Sequence, residues 1–260
     1  MTFTAIIQAR TNSSRLPNKI LLNYKNISPL SVLIKRLGKS KCLKKIIIAT
    51  TTTKNDDKIV KFCDENKILC FRGDEKNVLR RYYFAAKKFK INKIVRITSD
   101  CPLVDYRILD QMIKVFKKKK IDYYSNSLPL PTNYPDGMDI EIFTFKTLKE
   151  TFKKALLPSE KEHVTHYMWK KNNFNILKKN TNNNLSKYRF TIDYKKDFVF
   201  FCKLIDKFGT NKIHTVSMND LINFVKKNQH LVEYQKKIKR NQGWGSSFIK
   251  DKKYLFDFNT

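Results

Sequence analysis

The regular alternation of strand-like and helix-like segments through the first hundred residues is the feature that most limits what this chain can become. Short runs rich in Ile, Val and Thr occupy Phe3–Gln8, residues 45–50, residues 68–71 and Lys93–Thr98. Between them, residues 29–38, 55–66 and 77–90 carry apolar side chains at helical spacing, as with Val78, Tyr82, Ala85 and Phe89 on one face. A strand, a crossover helix and a second strand make a parallel pair, so the pattern predicts an α/β fold with a doubly wound, mostly parallel, Rossmann-like sheet. The 260 residues suffice for one large domain, and 41% hydrophobic content with 19 Phe and 12 Tyr excludes a disordered chain.

In open sheets of this kind ligands bind beyond the carboxyl ends of the strands. The junctions to inspect are therefore Ala9 onward, Thr50 onward, Arg72-Gly73 and Ser99 onward. The first holds Arg10, Arg15 and Lys19 in a polar loop with Ser13 and Ser14. Backbone N–H groups and Ser hydroxyls in such a loop cradle phosphate oxygens while the three cations neutralise them, which points to a polyphosphate. The last places Asp100 directly after a buried strand, where a carboxylate meets a metal carried by a bound triphosphate; the same residue also suits a helix cap.

Beyond residue 120 the pattern loosens. Pro129, Pro131 and Pro135 mark a loop, residues 138–143 and 188–193 read as strands, and residues 160–171 and 198–208 read as helices. The expected division is a nucleotide-handling domain over residues 1–230, with an acceptor-binding or lid segment at about 121–180, then a C-terminal helix and tail over 231–260. The tail holds Gly243-Trp244-Gly245 and further aromatics suited to docking.

The formal net charge of +31 raises a nucleic-acid partner. Its lysines are spread over nearly every predicted helix and turn, as a solvated surface would have them, and no RNA-binding signature is present. Nucleic acid is therefore not the expected partner, although a non-enzymatic polyanion-binding protein stays open as a competing reading. Five cysteines without a Cys-x-x-Cys or zinc spacing read as free thiols in a reducing, cytoplasmic compartment. No apolar run has the length of a membrane span.

Residues 9–19 follow the pattern Ala-Arg-x-x-Ser-x-Arg-Leu-Pro-x-Lys, which resembles the opening motif of the cytidylyltransferase family. Further blocks resemble its spore-coat polysaccharide synthesis group in particular: Phe71-Arg72-Gly73, Val78 to Tyr82, Arg96 to Leu103, Gly137 to Glu141, Glu162 to Thr165 and Arg189 to Asp193. The resemblance implies a nucleotide-diphospho-sugar transferase-like fold, CTP as donor, Mg²⁺ as cofactor, a small sugar-like acceptor and a homodimer. It assigns phosphate chemistry to Arg10, Arg15 and Lys19. It assigns the nucleotide to Ala9, Arg10, Ser14, Thr50, Thr51, Arg72, Gly73, Arg80 and Ser99, and the metal to Asp100 and Asp193. Asp139 and Glu141, on one side of a predicted strand, fall to the acceptor with His163 nearby.

Two positions depart from the family pattern. Asn18 stands where Gly often precedes the lysine, a mild change because Asn tolerates left-handed backbone, and Ser99 stands where Gly usually precedes the Asp. A metal-dependent glycosyltransferase on a similar fold is the nearest alternative enzyme. It usually carries an Asp-x-Asp pair, whereas the second position after Asp100 is Pro102.

Overall fold

The computed structural model describes residues 2–171 and 173–259. Met1, Asn172 and Thr260, which fall inside the expected spans 1–230, 121–180 and 231–260, lie outside the described residues. Among the described residues seven strands form one sheet: β1 (Phe3–Gln8), β2 (Leu43–Thr51), β3 (Leu69–Gly73), β4 (Lys93–Thr98), β5 (Tyr123–Ser125), β6 (Glu141–Thr144) and β7 (Ile176–Lys178), in the order β3-β2-β1-β4-β6-β5-β7. Only β6 runs antiparallel to its neighbours. The order reverses between β1 and β4, and that reversal opens a crevice at their carboxyl ends.

Residues alternate across the sheet as its pleat demands. Ile6, Ile47 and Ala49 pack on one face with Leu79, Tyr82 and Ala85 of helix α3 (Val78–Lys88). Ala5, Ile7 and Ile48 pack on the other, with Leu30 and Leu33 of α1 (Pro29–Leu37), Ile59 and Cys63 of α2 (Asp57–Glu65) and Leu109 and Met112 of α4 (Tyr106–Lys118). Burying each such aliphatic chain contributes about 1.5–3 kcal/mol. Arg36 sits wholly inside this second layer and donates to the carbonyls of Val104 (3.0 Å), Ile213 (2.6 Å) and Val216 (2.8 Å), tying α1 to two distant loops.

The second half corrects three expectations. The segment 188–193 joins no sheet ladder: it is an extended run whose Tyr188 carbonyl accepts from Asp136 N at 2.9 Å and whose Phe190 N donates to the Asp136 carbonyl at 2.7 Å. The strand expected over 138–143 begins only at Glu141, where its register with β4 ends at Arg96; before it, the Met138 carbonyl accepts from Asn126 Nδ2 and Ile140 N donates to Asn126 Oδ1, each at 2.8 Å, in place of a ladder. The helix expected over 160–171 is two helices, α6 (Pro158–His163) and α7 (His166–Lys170). Between them Val164 adopts φ 60°, ψ −57°, and Thr165 N donates to the His163 carbonyl, a γ-turn that is rare for a β-branched residue. The amphipathic spacing had hidden the break; the turn swings the Thr165 hydroxyl onto Glu141 at 3.2 Å.

The remaining helices are α5 (Phe145–Lys154), α8 (Lys195–Phe208), α9 (Met218–Lys227) and α10 (Trp244–Asn259), with a 3₁₀ stretch at Gln229–Lys237. Among the described residues no helix is long and apolar enough to cross a membrane.

Gly137 marks where the 188–193 run crosses the loop before β6. Its φ is +91°, and a Cβ placed there would lie 2.6 Å from the Phe190 carbonyl carbon. Gly137→Ala combines left-handed strain with a backbone clash and should destabilise the fold by about 3 kcal/mol or more, read as a lower midpoint in urea denaturation.

Candidate active site

The crevice at the switch point is a cleft of about 1120 Å³ whose wall is unusually rich in charge. The loop after β1 forms one side. It is anchored by Asp56, which is buried at the start of α2 and accepts from Thr11 N and Thr11 Oγ1 at 2.7 Å each, from Thr50 Oγ1 at 3.1 Å, and from Thr51 N and Oγ1 at 3.3 and 2.5 Å. Burial alone would raise the Asp56 pKa, but these hydrogen bonds hold it below the ordinary carboxylate value. The loop then turns back through Asn18 at φ 55°, the left-handed conformation that Asn tolerates.

That return delivers Lys19 to the centre of the cleft. Its ammonium lies 3.0 Å from Asp100 Oδ2 and 2.9 Å from Asp193 Oδ1, so two residues far apart in sequence share one cation. Arg15 Nη2 adds a contact to Asp193 Oδ1 at 2.6 Å. Burial opposes a charged lysine here, and the two carboxylates outweigh it and raise the Lys19 pKa. Burial likewise works against ionised Asp193, but Lys19, Arg15 and Arg189 bring it down to about 2.

The position of Asp193 is built by its neighbours. Thr191 Oγ1 and Ile192 N donate to the Asp100 carbonyl at 3.0 and 2.9 Å, fastening the two metal-candidate segments side by side. Arg189 reaches Asp193 Oδ2 at 2.9 Å and Asp197 Oδ2 at 3.3 Å, and bonds Asp136 with its other nitrogen. Asp197 Oδ2 also accepts from the backbone N–H groups of Asp193 and Tyr194 at 2.9 Å, so it caps α8 while holding Arg189.

The opposite half holds the expected acceptor residues. Glu141 is buried and saturated: Arg96 Nη1 lies at 2.7 Å, and Tyr123 Oη and Thr165 Oγ1 donate at 3.2 Å. Asp139 is bonded by Arg240. Burial pushes Asp139 up to about 7 against the pull of Arg240, and the nearby carboxylates of Asp136 and Glu141 add to the rise. His163 Nε2 meets Ser247 Oγ at 2.7 Å, and its ring stacks on Trp244 with centroids 4.0 Å apart.

The structure thus gathers Ala9, Arg10, Ser14, Arg15, Lys19, Ser99, Asp100, Asp139, Glu141, His163 and Asp193 around one cleft. Thr50, Thr51, Arg72, Gly73 and Arg80 are not on its wall. The Thr50 and Thr51 hydroxyls are turned inward to Asp56, Arg72 donates to the carbonyls of Thr51 and Thr53 and pairs with Asp57 at 2.7 Å, and Arg80 lies over the Phe84 ring. The close approach that Gly73 permits is made by the chain itself, since a Cβ there would lie 2.8 Å from Phe71 Cε1 and 3.2 Å from Arg81 Cγ. Gly73, Arg80 and Arg81 border a smaller, open depression of about 450 Å³ alongside.

Sequence reasoning missed Asp56, Arg96, Asp136, Arg189 and Arg240. Arg189 had a signal, four residues ahead of Asp193 in a run already singled out, and Arg96 had another, a charge in the middle of a buried strand. Asp56 and Arg240 had none.

A family model described as Cytidylyltransferase matches residues 4–238. The chain belongs to the cytidylyltransferase family. It is 37% identical over 234 residues to the uncharacterised protein MJ1063 of Methanocaldococcus jannaschii, covering 89% of this chain and 93% of that protein. It is 31% identical to the spore coat polysaccharide biosynthesis protein SpsF of Bacillus subtilis, covering 86% of this chain and 93% of the relative. The solved structure of a cytidylyltransferase from Leptospira borgpetersenii serovar Hardjo-bovis superposes with a TM-score of 0.83 at 34% identity, covering 89% of this chain and 97% of that one. This cytidylyltransferase is a nucleotidyltransferase of the nucleotide-sugar transferase-like fold, which removes the competing reading of a non-enzymatic polyanion binder.

Burial gives the cytidylyltransferase a pH-sensitive contact. It holds the His163 pKa down at about 3, with Arg96 and His166 adding to the effect, against an ordinary value near 6.5. A depressed folded pKa contributes stability that is complete above the unfolded value and lost as pH falls toward the folded one. His166 and His214, each held at about 4 mainly by burial, act in the same sense, whereas Asp139 acts in the opposite one. The thermal midpoint of His163→Gln should therefore fall less than that of the wild type between pH 7 and pH 5 in scanning calorimetry.

Proposed function

We propose that this protein transfers CMP from CTP to a sugar acid or to a sugar or polyol phosphate, releasing pyrophosphate, for the synthesis of a surface polysaccharide or glycan. One observation carries the reading: Lys19 bridging Asp100 and Asp193, with Arg15 on the same carboxylate, at the carboxyl ends of β1 and β4. The family description supports the cytidine donor, and the name of the Bacillus subtilis relative supports the polysaccharide destination.

In the reaction an acceptor oxygen forms a bond to the α-phosphorus, the bond from that phosphorus to the bridging oxygen breaks, pyrophosphate leaves with its electron pair, and the acceptor proton passes to solvent. Negative charge grows on the leaving group, and Arg10, Arg15 and Lys19 stand where preorganised cations stabilise it. Ala9, Ser14 and Ser99 line the same cleft, and in this reading they meet the nucleotide. Thr50, Thr51, Arg72 and Gly73 act on the nucleotide indirectly, by shaping the loop and the β3 end, and Arg80 borders the neighbouring depression.

The donor set fits a hard divalent cation. Two carboxylates already converge on one positive charge, and phosphate and water oxygens complete the shell that Mg²⁺ prefers; among the described residues no cluster of three or more acidic, His or Cys side chains offers a full protein cage. Asp100 and Asp193 would hold Mg²⁺, which supplies Lewis-acid polarisation of the α-phosphate. The acceptor half, with Asp139, Glu141 and His163, positions the sugar, Glu141 by fixing Arg96. We place the enzyme in the reducing cytoplasm, in keeping with its five free thiols, and as a homodimer.

A thermal-shift panel of CTP, UTP, ATP and GTP, each with and without Mg²⁺, tests the donor. CTP with Mg²⁺ should stabilise by about 2.7 kcal/mol at a hundredfold excess over its dissociation constant, and equal responses to all four nucleotides would sink the assignment. Arg15→Ala and Lys19→Ala should each lower pyrophosphate release by about 10²-fold or more, the scale of removing one preorganised donor. Near-normal turnover in both would remove their phosphate role.

A further inference from the structure

The family match ends at residue 238, but the cleft does not. Lys239, Arg240, Trp244, Ser246 and Lys250 also line it, from the segment that leads into α10 and from its first turns. Three contacts hold this segment over the acceptor half. Arg240 reaches inward to bond Asp139 and donates to the Tyr134 carbonyl at 2.8 Å. The Trp244 indole lies on the His163 imidazole with planes 7° apart, beside the Ser247–His163 hydrogen bond. Farther along, buried Asp251 accepts from Ser159 N at 2.8 Å and Ser159 Oγ at 2.5 Å, locking α10 onto α6.

The wall made in this way has two chemical properties. The stacked Trp244–His163 pair is a flat, mostly apolar surface, the kind on which the C–H face of a sugar packs. Its charge balance is positive. The carboxylates of Asp136, Asp139 and Glu141 are each matched by an arginine. Lys161, Lys239 and Lys250, all on the wall, have no ion-pair partner among the described residues, although Lys161 lies over the Tyr254 ring at 5.7 Å; with Arg10, Lys76 and Arg81, likewise without an ion pair, they outnumber the wall's unmatched carboxylates Asp74, Glu75 and Glu162.

We propose that residues 239–250 form the acceptor wall of the cleft: the Trp244–His163 pair takes the sugar or polyol skeleton, and Lys161, Lys239 and Lys250 select an acceptor that carries a negative charge. The assignment rests on the CMP-transfer reading and adds to it an element that lies beyond the residues the family model matches. The segment grips the domain through α6 and the cleft floor, and its Gln242 Oε1 accepts from Tyr194 Oη at 2.9 Å, beside the ring over which Arg15 lies.

The test follows pyrophosphate release from CTP and Mg²⁺ with 3-deoxy-manno-octulosonate, N-acetylneuraminate, glucose 1-phosphate, glycerol 3-phosphate, and neutral glucose and glycerol. Only charged members should support turnover, and whether the carboxylated or the phosphorylated ones do so identifies the anion. With that acceptor, Trp244→Ala should raise KM by about tenfold or more with kcat changed less than about threefold, and Trp244→Phe should restore most of the loss. The double substitution Lys239→Glu and Lys250→Glu, both exposed positions that leave the fold intact, should raise the same KM by about tenfold and flatten its dependence on salt. CTP affinity by calorimetry should stay within about twofold of wild type throughout. Unchanged KM in Trp244→Ala and in the double variant, preference for a neutral acceptor, or no turnover with any member by a wild type that binds CTP would each overturn the proposal. A wild type that does not bind CTP removes the underlying reading, and this one with it.

Discussion

A single ammonium group placed between two carboxylates organises this molecule. Lys19 brings together Asp100, which ends a central strand, and Asp193, which ends an extended run nearly a hundred residues later. Two carboxylates at such proximity in a half-buried site repel strongly when alone, and an unmatched charge there costs several kcal/mol. The neighbouring arginines extend the balance outward, Arg15 and Arg189 around Asp193 and then Arg189 to Asp136 and Asp197. The second half of the chain thus meets the first through charge matching at the cleft as well as through the apolar packing of Phe190, Phe201 and Leu204 in the shared core.

The two ends of the cleft are built differently. Around the loop after β1 the donors are cations and backbone groups on a rigid turn. Around β6 the carboxylates are saturated by arginines, tyrosine and threonine, and the surface turns aromatic at Trp244 and His163. Such a division suits a reaction between a polyanionic donor, met by the loop cations, and an acceptor met by a shaped aromatic wall.

Much of this was legible in the sequence where local physics decides. β1 and β4 fall on the expected residues, because buried parallel strands are short, nearly continuous apolar runs. The left-handed Asn18 was legible for the same local reason. What escaped was decided by tertiary contacts. β5 and β7 have three residues each, too few for any period to show. The run at 188–193 has strand-like composition, but its backbone partners across the cleft are two isolated residues, Asp136 and Asp100. Thr50 and Thr51 follow a strand just as a ligand-binding pair would, and only the folded chain reveals Asp56 beneath them. The work of Arg240 depends on where a tail lands, which no spacing encodes.

Asp56 has a further consequence. One carboxylate takes five donors from Thr11, Thr50 and Thr51, so the cationic loop is moored to β2 before any ligand arrives. Fixing a backbone residue costs about 1–2 kcal/mol of entropy, and a loop that met this cost during folding has none left to meet on encounter. A phosphate-bearing ligand would then meet a host already ordered at this loop.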